Sequence, residues 1–144
     1  MTRRALEYPY GRPDADFLYL GGEWMELAEV DAANPPGCVL KKGGTVGSLL
    51  KEQGVRSPAD WISVAAYGSN RSPEQLARKF PEGVPVVSAR GWLMDTDALR
   101  SAHFSSYGTL PATPATSPGT RLAVSLQWFP RSALPRLHAS EGLG

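Results

Sequence analysis

Apolar side chains fall in short runs separated by glycine, proline and polar clusters, the pattern of a domain assembled from short strands and helices. Residues 16–20 and 24–30 each hold enough apolar positions for a modest strand or a helical turn. Asn34, two prolines and Gly37 then break the chain, and Cys38, Val39 and Leu40 predict a short strand. Thr45 is placed to cap a helix running through Val46, Leu49 and Leu50, with Gly54 supplying a left-handed stop.

Beyond Ser57 and Pro58 the pattern sharpens. Residues 61–67 form an apolar run with β-branched members, short enough for a buried strand, and it ends abruptly at Gly68, Ser69 and Asn70. Four helix-start features follow: a capping hydroxyl at Ser72, Pro73 at the first helical position, Glu74 in the first turn and Gln75 at the capping-box position. The helix should run to about Phe80, where Arg78 and Lys79 complement its dipole and Pro81 ends it. Further strands are predicted at residues 84–92, around 104–107, and at 121–129, where polar and apolar positions partly alternate. Residues 111–119, rich in Pro, Thr and Ser, read as a loop between the last two. Ser132 can cap a short helix over residues 133–140, with Pro135 in the first turn, where its missing N–H does least harm.

Composition narrows the class. A chain of 144 residues, 42% hydrophobic and 20% charged, suits one globular domain that folds in water, not a disordered polyelectrolyte or a membrane protein. The net charge of +1 gives no general field for nucleic acid or anionic lipid, and neither partner is expected. Residues 1–60 carry seven basic and nine acidic groups and residues 61–144 eight and five, so the halves differ in sign. Cys38 is the only cysteine, which excludes an intramolecular disulfide and a cysteine-built zinc cage and suits a reducing, cytoplasmic setting. The N-terminal residues lack a signal-peptide core, and no apolar stretch approaches bilayer length. His103 and His138, 35 positions apart with no carboxylate at helical spacing, argue against a histidine-rich metal site; no metal or other cofactor is expected.

Strand, Gly-Ser-Asn turn and capped helix in succession set backbone N–H groups in a tight bend beside a helix N-terminus, a geometry that holds anions. Glu74 in the same turn favours a mono-anion such as a carboxylate over a doubly charged guest. The plainer alternative is that Gly68 permits a turn and Asn70 tolerates an unusual backbone angle. Ala66, Tyr67, Gly68, Ser69 and Asn70 resemble the YGSN signature of the γ-glutamylcyclotransferase-like superfamily. That family also has a Val-x-Gly-x-x-Tyr strand before a Leu-x-x-Leu-Asp-x-x-Glu-Gly helix, and residues 124–129 and 134–142 follow that order and spacing. The resemblance covers roughly residues 61–142.

The resemblance implies an α+β domain over residues 61–144, with a small, mixed, β-barrel-like sheet and short helices, preceded by residues 1–60 as an N-terminal extension that can pack on it. It also implies a chemistry. The free amine of a γ-glutamyl compound attacks its own side-chain amide, closing a five-membered ring to give 5-oxoproline and releasing an amine. The nucleophile belongs to the substrate, so the protein must hold the α-carboxylate, fold the chain and take a proton from the ammonium group. Carried over by position, Tyr67, Gly68, Ser69 and Asn70 would bind the substrate and Glu141 would be the general acid/base. Glu141 stands out for a second reason: it is the only acidic residue after Asp97.

Three positions depart from the family pattern. Arg71 replaces the usual leucine after YGSN, so a cation must reach solvent, a partner or the substrate. His138 stands where the family has Asp. The chain ends at Gly144, where the family continues with further strands, which suggests a truncated form or fragment, or replacement strands supplied by residues 1–60. The alternative to the enzyme is a non-catalytic relative that binds a small carboxylate or acts in an assembly. Other candidates weigh less. Residues 43–48 lack the Gly-Lys-Ser/Thr ending of a phosphate loop and read as a turn and helix cap. Ser69 with either histidine lacks a nucleophile elbow.

Overall fold

The computed structural model describes residues 11–100, 102 and 112–140. Six strands, β1 (Phe17–Leu20), β2 (Glu23–Glu29), β3 (Val39–Leu40), β4 (Trp61–Ala66), β5 (Val86–Arg100) and β6 (Ala112–Pro130), form one sheet in the order β3-β2-β1-β5-β6-β4. Three short helices, α1 (Val46–Glu52), α2 (Pro73–Lys79) and α3 (Leu134–Ser140), complete an α+β architecture. Every strand pairing is antiparallel, where a mixed sheet was expected, and among the described residues the sheet is open, with β3 and β4 at its edges. Residues 17–40 supply three of the six strands, and β1 pairs directly with β5.

The β1–β2 hairpin turns on Gly21 and Gly22, both at positive φ (60° and 88°), the backbone region that a two-residue hairpin demands and glycine enters without strain. α1 forms as its sequence predicts. Thr45 Oγ1 accepts the Ser48 N–H at 3.1 Å and Ser48 Oγ accepts the Thr45 N–H at 2.9 Å, a reciprocal capping box.

Strand alternation sorts the core onto two faces. One face gathers Leu18, Leu20, Val87, Ala89 and Trp128, and α1 seals it with Val46, Leu49 and Leu50. The other gathers Phe17, Tyr19, Val86 and Phe129, which meet Leu76 and Phe80 from the α2 segment and Leu137 of α3. The Phe80 and Phe129 rings lie 5.7 Å apart, and the Tyr19 hydroxyl donates to the Phe80 carbonyl at 2.8 Å.

Several expectations need correction. The run at residues 61–67 makes an edge strand: among the described residues β4 has only β6 as a neighbour, and Ser63 faces solvent. Residues 112–119 are strand, not loop, because β5 and β6 continue as a two-stranded ribbon as far as the Arg100–Ala112 pair. Among the described residues the outer edges of this ribbon are unpaired, so Pro114 and Pro118 can lack an N–H without breaking its ladder. The register slips between the Met94–Arg121 and Thr96–Thr116 pairs, where Asp95 takes φ 52° and accepts the Gly119 N–H at 2.8 Å. The strand expected around 104–107 lies outside the described residues.

Candidate functional site

β4 delivers the chain to Tyr67 beside the middle of β6, where Ala66 pairs with Ser125. Gly68 leads into a single 3₁₀ turn, Ser69–Arg71, in which the Arg71 N–H donates to the Gly68 carbonyl at 3.3 Å and the Ser72 N–H to the Ser69 carbonyl at 2.9 Å. Those two donors are therefore spent within the turn, which narrows the anion-holding bend read from sequence. The capping box predicted at Ser72 does not form either. The Gln75 N–H goes to the Ser72 carbonyl at 3.1 Å, which leaves the side-chain hydroxyl without that donor. Ser72 Oγ and Gln75 Oε1 are both buried with no hydrogen-bond partner among the described residues.

What fixes the turn is the sheet beneath it. Ser88 pairs with Gln127 and Arg90 with Ser125, and these side chains share the face that carries Phe129. Gln127 is fully buried; its Nε2 donates to the Asn70 carbonyl at 2.9 Å and to Ser88 Oγ at 3.3 Å. The next pair along the strands reaches Arg71, whose Nε donates to Ser125 Oγ at 3.4 Å. A buried amide thus clamps the peptide of Asn70, and a hydroxyl steers the guanidinium that follows it.

Arg71 opens onto a cleft of about 480 Å³, a size suited to a small molecule. Arg90, Trp92 and Ser125 line its floor, and Asp14 and Asp16 in the segment before β1 form one wall. Arg90 holds that wall: its Nη1 meets Asp14 Oδ1 at 3.1 Å, its Nε meets Asp16 Oδ1 at 3.3 Å, and its backbone N–H donates to Asp16 Oδ1 at 2.8 Å. Hydrogen bonding to Asp16 and Asp14 raises the pKa of the Arg90 guanidinium further, so Arg90 is a fixed charge already neutralised. Arg71 has no carboxylate partner among the described residues, which leaves its charge for a guest. Trp92 is 56% exposed, with the Arg121 guanidinium stacked 4.7 Å from its ring centre.

The predicted residues Tyr67, Gly68, Ser69 and Asn70 therefore form one half-buried turn at the edge of this cleft. Glu141 lies outside the described residues, as does His103; His138 is exposed on α3. Cys38 is buried, its Sγ accepts the Asp31 N–H at 3.2 Å, and burial pushes its thiol pKa up, the behaviour of a packing residue. No group of three or more His, Cys, Asp or Glu side chains among the described residues is arranged to hold a metal. No helix there is long and apolar enough to cross a membrane.

Sequence reasoning missed Gln127, Ser88, Ser125 and Arg90 as parts of the site. The alternation in β6 carried the signal: Ser125 and Gln127 fall on one face and Leu126 and Trp128 on the other, and the polar set is the more buried overall. Comparisons with protein-family models, curated proteins and solved structures find no match for the chain.

Proposed function

We propose that the protein is a γ-glutamylcyclotransferase-like enzyme, which cyclises a small γ-glutamyl amine or peptide to 5-oxoproline and releases the amine. The observation that carries this reading is the location of the YGSN turn: Gln127 clamps it at the rim of a small-molecule cleft, and Arg71, the residue that follows, brings in a guanidinium with no carboxylate partner among the described residues. The helix that precedes Glu141 supports it, because α3 packs on the same sheet face as the turn. In this reading the six strands are the described part of a barrel-like sheet, and the buried lone cysteine suits a cytoplasmic protein.

The chemistry asks little beyond positioning. The turn and Arg71 hold the α-carboxylate, which bends the substrate so that its amine approaches the side-chain carbonyl. Glu141 takes a proton from the ammonium group, the amine nitrogen bonds to the carbonyl carbon, and the C–N bond to the amine half breaks as that nitrogen regains a proton. Atoms balance with no cofactor or water consumed.

Incubation with γ-glutamyl dipeptides and γ-glutamyl-lysine should yield 5-oxoproline, and Glu141→Gln should lower turnover by roughly 10²- to 10⁴-fold. Full turnover in that variant would show that Glu141 is not the base. The Arg71 guanidinium favours a second reading, a non-catalytic relative that binds a small carboxylate. Calorimetric binding of glutamate or 5-oxoproline, with no 5-oxoproline formed from any γ-glutamyl compound, would select it.

A further inference from the structure

We infer that the cleft selects γ-glutamyl compounds whose amine half is apolar or aromatic: Arg71 takes the carboxylate, and Trp92 with Ala123 forms a shelf for the amine. This rests on the γ-glutamyl reading above. The register of β5 and β6 provides the ruler. Arg90 pairs with Ser125 and Trp92 with Ala123, successive pairs on one face, so the row that receives Arg71 and the row that carries the indole lie about 7 Å apart. A γ-glutamyl group bent for ring closure still carries its amine half beyond the amide nitrogen, a comparable distance from the α-carboxylate. A carboxylate held at Arg71 therefore puts the amine half over Trp92.

The shelf suits an apolar guest. The indole is more than half exposed, Ala123 opposite is too small to cover it, and Arg121 stacked on the ring fixes its plane. The Arg121 guanidinium on the ring sets like charge against a cationic amine such as a lysine side chain, while a neutral ring covers surface that water now wets.

Calorimetry with γ-glutamyl-anilide, γ-glutamyl-lysine and glutamate tests the shelf. The anilide should bind about tenfold tighter than the other two, the factor that one aromatic contact supplies. Trp92→Ala should bring it down to the affinity of glutamate, Trp92→Phe should restore most of the margin, and Arg71→Leu should weaken all three ligands about tenfold or more. Trp92 is exposed, so its loss leaves the core intact, and an unchanged melting temperature checks this. Equal affinities for the three ligands, no binding of any, or a margin that survives Trp92→Ala would overturn the inference. 5-Oxoproline assayed in the same samples separates the two claims. The tenfold margin without 5-oxoproline keeps the shelf and removes the cyclotransferase; 5-oxoproline formed with equal affinities keeps the enzyme and removes the shelf.

Discussion

The two faces of the sheet are built from the same strands and held by different forces. Under α1, Leu18, Leu20, Val87, Ala89 and Trp128 meet Val46, Leu49 and Leu50 in a core that is apolar throughout. The opposite face starts the same way, with Phe17, Tyr19, Val86 and Phe129 under Leu76 and Phe80, and then turns polar along β5 and β6 through Ser88, Gln127, Ser125 and Arg90. Where it turns polar, the cover is a hydrogen-bonded turn and no longer a packed helix. Apolar contact is non-directional and seals; hydrogen bonds are directional and position. One face therefore supplies stability, while the other gives up part of its core to hold Asn70 and Arg71 at a cleft.

Truncating the sealed face should have the largest effect on folding. Leu50 is fully buried in that cluster, so Leu50→Ala should destabilise by about 2–5 kcal/mol in urea unfolding, while the molecules that remain folded bind glutamate with unchanged affinity. Lost affinity in the folded fraction would mean that the two faces are coupled and the contrast is false. Gln127→Ala should do the reverse. It strips donors from the Asn70 carbonyl and Ser88, costs about 1–3 kcal/mol, and releases the turn, so carboxylate binding should fall by more than the stability change accounts for. Binding that survives intact would show that the turn holds its place without the clamp.

How much of this contrast the residues announce differs between the faces. The sealed face was largely legible: Thr45, Val46, Leu49, Leu50 and Gly54 carry a cap, an apolar stripe and a stop, all local signals, and α1 forms within those limits. The YGSN turn was legible as a break in the chain, but its anchor was not. Gln127 lies 57 positions from Asn70, and only the pairing of β4, β5 and β6 brings them together. A polar residue between Leu126 and Trp128 reads as solvent-facing unless the other side of the sheet is known to be covered. Residues 112–119 misled for a related reason. Proline and threonine suggest a loop, yet a ribbon with free outer edges tolerates both. The Ser72 capping box failed because the backbone carbonyl of Ser72, and not its hydroxyl, took the Gln75 N–H.

Tyr19 tests the boundary between the two regimes, because among the described residues it is the one phenol buried among the apolar side chains of the cleft-bearing face, and its hydroxyl reaches the Phe80 carbonyl at the end of α2. Tyr19→Phe keeps the packing and removes the hydrogen bond, so at neutral pH it should cost about 0.5–1.5 kcal/mol, the smallest of these effects. Its pH dependence is more telling. Burial, with Glu82 adding to it and a Gly22 backbone hydrogen bond opposing it, raises the folded-state pKa above the ordinary value of 10.0. The folded chain thus holds this proton more tightly than the unfolded chain. Its contribution is complete below pH 10 and is lost as pH rises through the folded-state pKa. Unfolding curves of the parent and Tyr19→Phe should therefore differ by a constant amount up to about pH 10 and converge or cross above it, with the other titrating groups cancelling in the comparison. A difference that stays constant into strong alkali would mean that the phenol titrates alike folded and unfolded, and that water already reaches this part of the face.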